Sequence, residues 1–97
     1  MNHSVVWSPE AKDSFEKTVR YVEKNWGRKS AITFIERVHS ILSIITQHPK
    51  AFVFLSQYNA YRCVVVKQVS LFYRIQKNKI ELLTFWDNRQ DPQNIKL

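Results

Sequence analysis

The chain has one glycine, one cysteine, one methionine and three prolines in 97 residues. Each scarcity closes a class. A single cysteine, Cys63, can form neither an internal disulfide nor a cysteine-rich zinc site. A single glycine, Gly27, leaves no glycine-rich loop to cradle nucleotide phosphates. The three histidines, His3, His39 and His48, have no metal-ligand spacing to one another. Neither a Ser/His/Asp constellation nor a paired-carboxylate signature is present. A nucleoside-triphosphate enzyme or a metalloenzyme is therefore not expected, and the reading calls for no cofactor and no metal. No apolar stretch approaches the roughly 20 residues of a membrane span. The segment Met1 to Trp7 has no charged region followed by an apolar run, so it does not read as a signal peptide. With the lone cysteine, these absences point to a soluble cytoplasmic protein with no membrane partner.

Positive charge, by contrast, is abundant. The net charge is +7 and the pI about 9.8, which favours a polyanionic target, an acidic partner, or both. The charge is spread out: residues 1–56 carry a net +3 and residues 57–97 a net +4, with no basic tail. Any recognition surface must therefore be built by the fold. Length fits one domain, 1–97, in which about 88–97 form a C-terminal loop and weakly ordered tail.

His3 to Trp7 reads as a short strand. Ser8-Pro9-Glu10 then opens a helix: Ser8 can cap, Pro9 suits the first position, and Glu10 complements the positive end of the dipole. Ala11, Phe15, Val19, Val22 and Trp26 make one helical face, and Gly27 closes the helix. Ser30 is placed to cap a second helix, whose Ala31, Phe34, Ile35, Val38, Ile41, Leu42 and Ile45 share a side and which ends at His48-Pro49. So short a link makes an αα-hairpin. Residues 49–60 read as a loop over the core edge, with Phe52, Phe54, Leu55 and Tyr58. Three strands follow at about 61–67, 70–76 and 80–86, the second turn being Lys77-Asn78-Lys79, where Asn78 tolerates positive φ. The order is β-α-α-β-β-β. It gives an α+β fold in which a helical hairpin packs on one face of a small, mainly antiparallel four-stranded sheet.

The last three strands carry Arg62, Lys67, Arg74 and Arg89 among apolar residues. Arg62 and Arg89 are the candidates for phosphate binding or for stabilising transition-state charge, since a planar fork of donors suits that task. The competing reading is a salt bridge to Glu81 or Asp87. Lys67, Arg74, Tyr73 and Trp86 are candidates for target contact, the aromatics by stacking, though turn lysines are commonly solvated and sheet aromatics commonly core. Cys63, in a valine-rich strand, reads as an inert small hydrophobe. Both faces of each strand are fairly apolar, so alternation alone leaves open which face meets the helices.

Together these pieces resemble the RelE/ParE superfamily of toxins from type II toxin–antitoxin systems. The resemblance rests on Trp7-Ser8-Pro9-Glu10-Ala11, Pro49, Tyr61-Arg62, Leu71-Phe72-Tyr73-Arg74-Ile75, and the ending Phe85-Trp86-Asp87-Asn88-Arg89-Gln90-Asp91-Pro92. It implies a plasmid-stabilisation-like toxin that inhibits growth until an acidic cognate antitoxin binds it as a hetero-oligomer. It places Arg62 and Arg89 where family members often carry functional arginines. Two mechanisms are implied: ParE-like inhibition of DNA gyrase, or RelE-like, metal-independent, ribosome-dependent cleavage of mRNA. Ser70 stands where RelE-type nucleases tend to have an arginine, and no tyrosine or histidine follows Arg89. Those departures tilt the reading toward gyrase. A non-toxic homologue that binds only antitoxin or RNA is the third reading.

Overall fold

A computed structural model describes residues 3–97. Strand β1 (Ser4–Trp7) leads into helices α1 (Pro9–Trp26) and α2 (Arg28–Gln47). Four strands follow: β2 (Val53–Leu55), β3 (Ala60–Val66), β4 (Val69–Gln76) and β5 (Lys79–Asp87). The sheet order is β1-β5-β4-β3-β2; β1 runs parallel to β5 and every other pairing is antiparallel. This is the expected α+β arrangement with one strand more than the four anticipated. Residues Val53–Leu55, read as loop, pair with Ala60–Arg62 as an edge strand. At three residues, that strand is too short for periodicity to reveal.

The helices form as their caps direct. The Ser8 hydroxyl accepts from the Ala11 N–H at 3.0 Å, and Pro9 occupies the first turn. The hairpin connection is a single residue. Gly27, at φ 95°, ends α1 by donating to the Glu23 carbonyl, and its own carbonyl accepts from Ala31. Ser30 is therefore not the cap it was expected to be; it lies inside α2, whose N-terminus has no side-chain cap. Positive φ is costly for a residue with a Cβ, and this position is where the only glycine of the chain is spent. The β4–β5 turn departs from expectation in the same way: Lys77, not Asn78, adopts positive φ, at 57°.

The helices cover the sheet face that carries Cys63 and Val65, Leu71 and Tyr73, Ile80 and Leu82. Strict alternation from Ile80 would continue that row through Thr84 and Trp86. A register shift between β4 and β5, where Phe72 faces Thr84 but Tyr73 faces Leu82, leaves Leu83 as the extra residue of a bulge. Phe85 consequently points inward. It stacks on Trp7 at 5.6 Å and meets Phe15 at 5.3 Å, while Phe15 also contacts Trp7 and Phe34. Such aromatic pairs contribute roughly 0.5–1.5 kcal/mol each beyond the area they bury.

Beyond the end of β1, the edge of β5 is completed by α1. The Ser8 hydroxyl donates to the Leu83 carbonyl at 3.0 Å, and the Ser14 hydroxyl accepts from the Phe85 N–H at 2.9 Å. Two serines thus satisfy strand groups that a longer β1 would have paired. The other sheet face holds a second, smaller cluster: Ala60, Phe72 and Leu83, covered by Leu55, Tyr58, Trp86 and Ile95. Residues 49–60 and the C-terminal segment supply that cover, so both are more than a connector and a tail. Pro92–Asn94 form a short 3-10 turn, and Tyr58 donates to the Pro92 carbonyl at 3.2 Å.

Candidate functional site on the open half of the sheet

The outer sheet face is half covered. Toward the β2–β3 turn it lies under Tyr58 and Ile95. Toward the β3–β4 turn it is open: Val64 is 50% exposed and Val53, paired across the strands with Arg62, is 63% exposed. Arg62 lies between them, half-buried. Its Nε donates to the Ser70 hydroxyl at 3.0 Å and its Nη2 to Asn88 Oδ1 at 3.4 Å. Ser70 is fully buried and passes its own proton to Asn88 Oδ1 at 2.8 Å. Asn88 in turn donates from Nδ2 to the Lys67 carbonyl and from its backbone N–H to the Gln68 carbonyl, which ties the end of β5 to the β3–β4 turn.

No carboxylate among the described residues pairs with Arg62. The salt bridge to Glu81 or Asp87 considered from the sequence is not formed. Glu81 lies opposite Arg74, and Asp87 is taken by Arg89.

Arg89 is placed quite differently. Its Nε and Nη2 grip both oxygens of Asp87 at 2.9 and 2.8 Å, the Asp87 carboxylate also accepts its backbone N–H, and its guanidinium lies 5.5 Å from the Tyr21 ring centre. These hydrogen bonds hold the Asp87 carboxyl below its ordinary range and keep Arg89 more firmly protonated than a free arginine. The pair lines, on the helix side, a groove of about 1030 Å3 together with Lys17, Tyr21, Trp26, Lys29 and Phe34. Arg62 and Arg89, both nominated from the sequence, share no partner among the described residues: one serves the outer face, the other the helix-side groove.

The remaining candidates also separate. Tyr73 is fully buried and its hydroxyl donates to the Pro49 carbonyl at 2.7 Å, so its ring belongs to the core and is not offered for stacking. Arg74 donates to the carbonyls of Asn59 and Tyr58 at 2.8 and 3.2 Å and braces the β2–β3 turn. Trp86 is half-buried in the outer cluster. Lys67 is exposed at the β3–β4 turn, beside Asn88. Cys63 is buried, and burial pushes its thiol up to about 11 despite the nearby Arg37. Ser70 and Asn88 were not singled out as functional from the sequence. The available signal was a small polar residue at the start of β4, next to the apolar Leu71-Phe72-Tyr73 and across from an arginine-bearing strand.

The model of the family described as the ParE toxin of the type II toxin–antitoxin system parDE matches residues 5–92. The chain belongs to the ParE toxin family. No curated protein matches it in sequence. Among solved structures, it is similar to a chain of the chromosomal ParDE system from P. aeruginosa, with TM-score 0.75 and 12% identity over 88% of this chain and 95% of that one. It is also similar to the YoeB/ParE toxin from Agrobacterium tumefaciens, with TM-score 0.62 and 11% identity over 87% and 97% of the two chains. A chain of the YoeB–YefM complex from Staphylococcus aureus gives TM-score 0.57 and 14% identity over 88% and 95%. These likenesses show a shared fold; the family match makes this ParE member a toxin of a type II system. Among the described residues, no helix is long and apolar enough to cross a membrane.

Proposed function

We propose that this ParE-family toxin arrests growth by binding a protein target, with DNA gyrase the first candidate, and that Arg62 on the open half of the sheet is its principal contact. The observation that carries this reading is the surroundings of Arg62: a half-buried guanidinium with no carboxylate partner among the described residues, whose hydrogen-bonded neighbours are Ser70 and Asn88. Such a group binds an oxyanion firmly. A serine hydroxyl and a primary amide have no ionisation near neutral pH, so the arrangement is suited to binding rather than to the general acid–base catalysis of RNA cleavage. An acidic antitoxin, held in a hetero-oligomer, is the partner that would neutralise a chain of net charge +7; the similar YoeB chain from Staphylococcus aureus is found in a heterotetrameric toxin–antitoxin complex with YefM.

Controlled expression without antitoxin tests the proposal. Growth should stop, cellular mRNA should remain intact in primer extension, and the purified protein should inhibit supercoiling by gyrase. Codon-phased mRNA cuts would establish the RelE-like reading instead, and undisturbed growth would establish a non-toxic homologue.

A further inference from the structure

We infer that Ser70 and Asn88 are positioning residues that lock Arg62 side-on, leaving only the terminal edge of its guanidinium to meet an oxyanion. This rests on the reading of Arg62 as the principal contact and adds how that contact is prepared.

The network has one self-consistent proton arrangement. Arg62 can only donate. Ser70 Oγ therefore accepts from Arg62 Nε at 3.0 Å and sends its single proton to Asn88 at 2.8 Å. The Asn88 oxygen must face both Ser70 and Arg62 Nη2, and its amide nitrogen must face the Lys67 carbonyl at 3.2 Å. Flipping the amide would set donors against the guanidinium and an acceptor against a carbonyl, so the orientation is fixed by chemistry. Ser70 is fully buried within the sheet, which makes its hydroxyl an immobile anchor. Nε and one side of Nη2 are consumed by this lock. Nη1 and the remaining Nη2 proton have no partner among the described residues, and neither nitrogen is a buried, unsatisfied group, so this edge is open to a ligand.

A long arginine normally loses rotamer freedom when it binds, at a cost of up to about 2 kcal/mol. Here that freedom is already removed before a target arrives, which is how preorganisation raises affinity. Neutral anchors are the appropriate choice. A carboxylate in place of Asn88 would hold the guanidinium equally well but cancel the charge it presents, as Asp87 does for Arg89.

The test uses full-length Ser70→Ala and Asn88→Ala, with Arg62→Ala as reference and thermal melting to establish that each folds. Hydrogen exchange at the Arg62 Nε–H, followed by NMR, should accelerate about tenfold or more in Ser70→Ala, which removes its acceptor, the scale of one hydrogen bond to a charged group, and to a smaller extent in Asn88→Ala, which frees Nη2. Growth arrest should weaken about tenfold in parallel and approach the Arg62→Ala level. Folded Ser70→Ala and Asn88→Ala proteins with parental exchange and parental toxicity, beside a disarmed Arg62→Ala, would overturn the positioning inference alone. A fully toxic Arg62→Ala would overturn the parent reading, and with it any functional purpose of the network.

Discussion

Ser14 carries the seam between helix and sheet, and replacing it with alanine isolates that seam. Its hydroxyl donates to the Glu10 carbonyl at 2.7 Å within α1 and accepts from the Phe85 N–H at 2.9 Å across to β5. The first contact is redundant, because helical carbonyls are already bonded. The second is not: Phe85 is 4% exposed and its N–H lies beyond the end of β1, so no strand can take over. Ser14→Ala therefore strands a buried donor, at a cost of about 1–3 kcal/mol. For a domain of this size each kcal/mol lowers Tm by about 4–8 °C, so a loss near 2 kcal/mol is a drop of about 10 °C. Thr18→Ala is the internal control. It removes the same kind of group, but the Thr18 hydroxyl only donates back to the Ser14 carbonyl in its own helix, at 2.8 Å. That variant should stay within about 0.5 kcal/mol of the parent. Thermal melts of the two variants side by side decide the matter. Equal, small shifts would refute the argument that α1 completes the hydrogen bonding of β5.

Three further outcomes follow from buried or paired groups. Tyr73→Phe removes the donor to the Pro49 carbonyl and should destabilise by about 1–2 kcal/mol in chemical denaturation, because the hydroxyl is fully buried and its burial already holds the phenol protonated. Cys63, whose thiol is pushed up to about 11, should resist alkylation at pH 8 in the native protein and react promptly once denaturant unfolds it; fast native labelling would contradict its burial. Asp87 has a depressed pKa in the folded state, chiefly from the Arg89 hydrogen bonds. Its contribution is fully present above the unfolded carboxylate pKa of about 3.9 and is lost as pH falls through the lower folded value. The Asp87→Asn variant should therefore lose the acid limb of that pH dependence.

The helices were legible because their signals are local: Ser8, Pro9, Gly27 and Pro49 mark boundaries, and two faces of apolar residues recur at helical spacing. The strand order was legible in outline for the same reason. What stayed hidden depends on counterparts distant in sequence. Strand β2 exists only because Val53–Leu55 can pair with Ala60–Arg62. The bulge at Leu83 changes which residues of β5 face inward, and no local feature of Leu82-Leu83-Thr84 announces it. Arg62 and Arg89 could be nominated as chemically apt side chains, but the roles of their neighbours could not. Ser70 is eight residues from Arg62 and Asn88 twenty-six, and only the folded sheet brings the three together.

The two arginines looked equivalent in sequence, and the fold makes them unequal. Asp87, Asn88 and Arg89 are consecutive, yet Asp87 and Arg89 engage each other on the helix side while Asn88 reaches the outer face. An oxyanion about 4 Å from an unpaired charge at a partly exposed site gains on the order of 1–4 kcal/mol. For Arg89 most of that field is already cancelled by a carboxylate at 2.8 Å. Arg62→Ala should consequently weaken growth arrest much more than Arg89→Ala. The mechanism yields a sharper test than that ranking. If Asp87 silences Arg89, then Asp87→Asn frees that guanidinium beside Tyr21 and should strengthen binding to polyanionic matrices at low salt, an increase that Arg89→Ala in the same background removes. If Asp87→Asn leaves the salt-dependent retention unchanged, or if Arg89→Ala alone disarms the toxin as fully as Arg62→Ala, pairing is not what separates the two arginines, and the case for Arg62 as the principal contact fails with it.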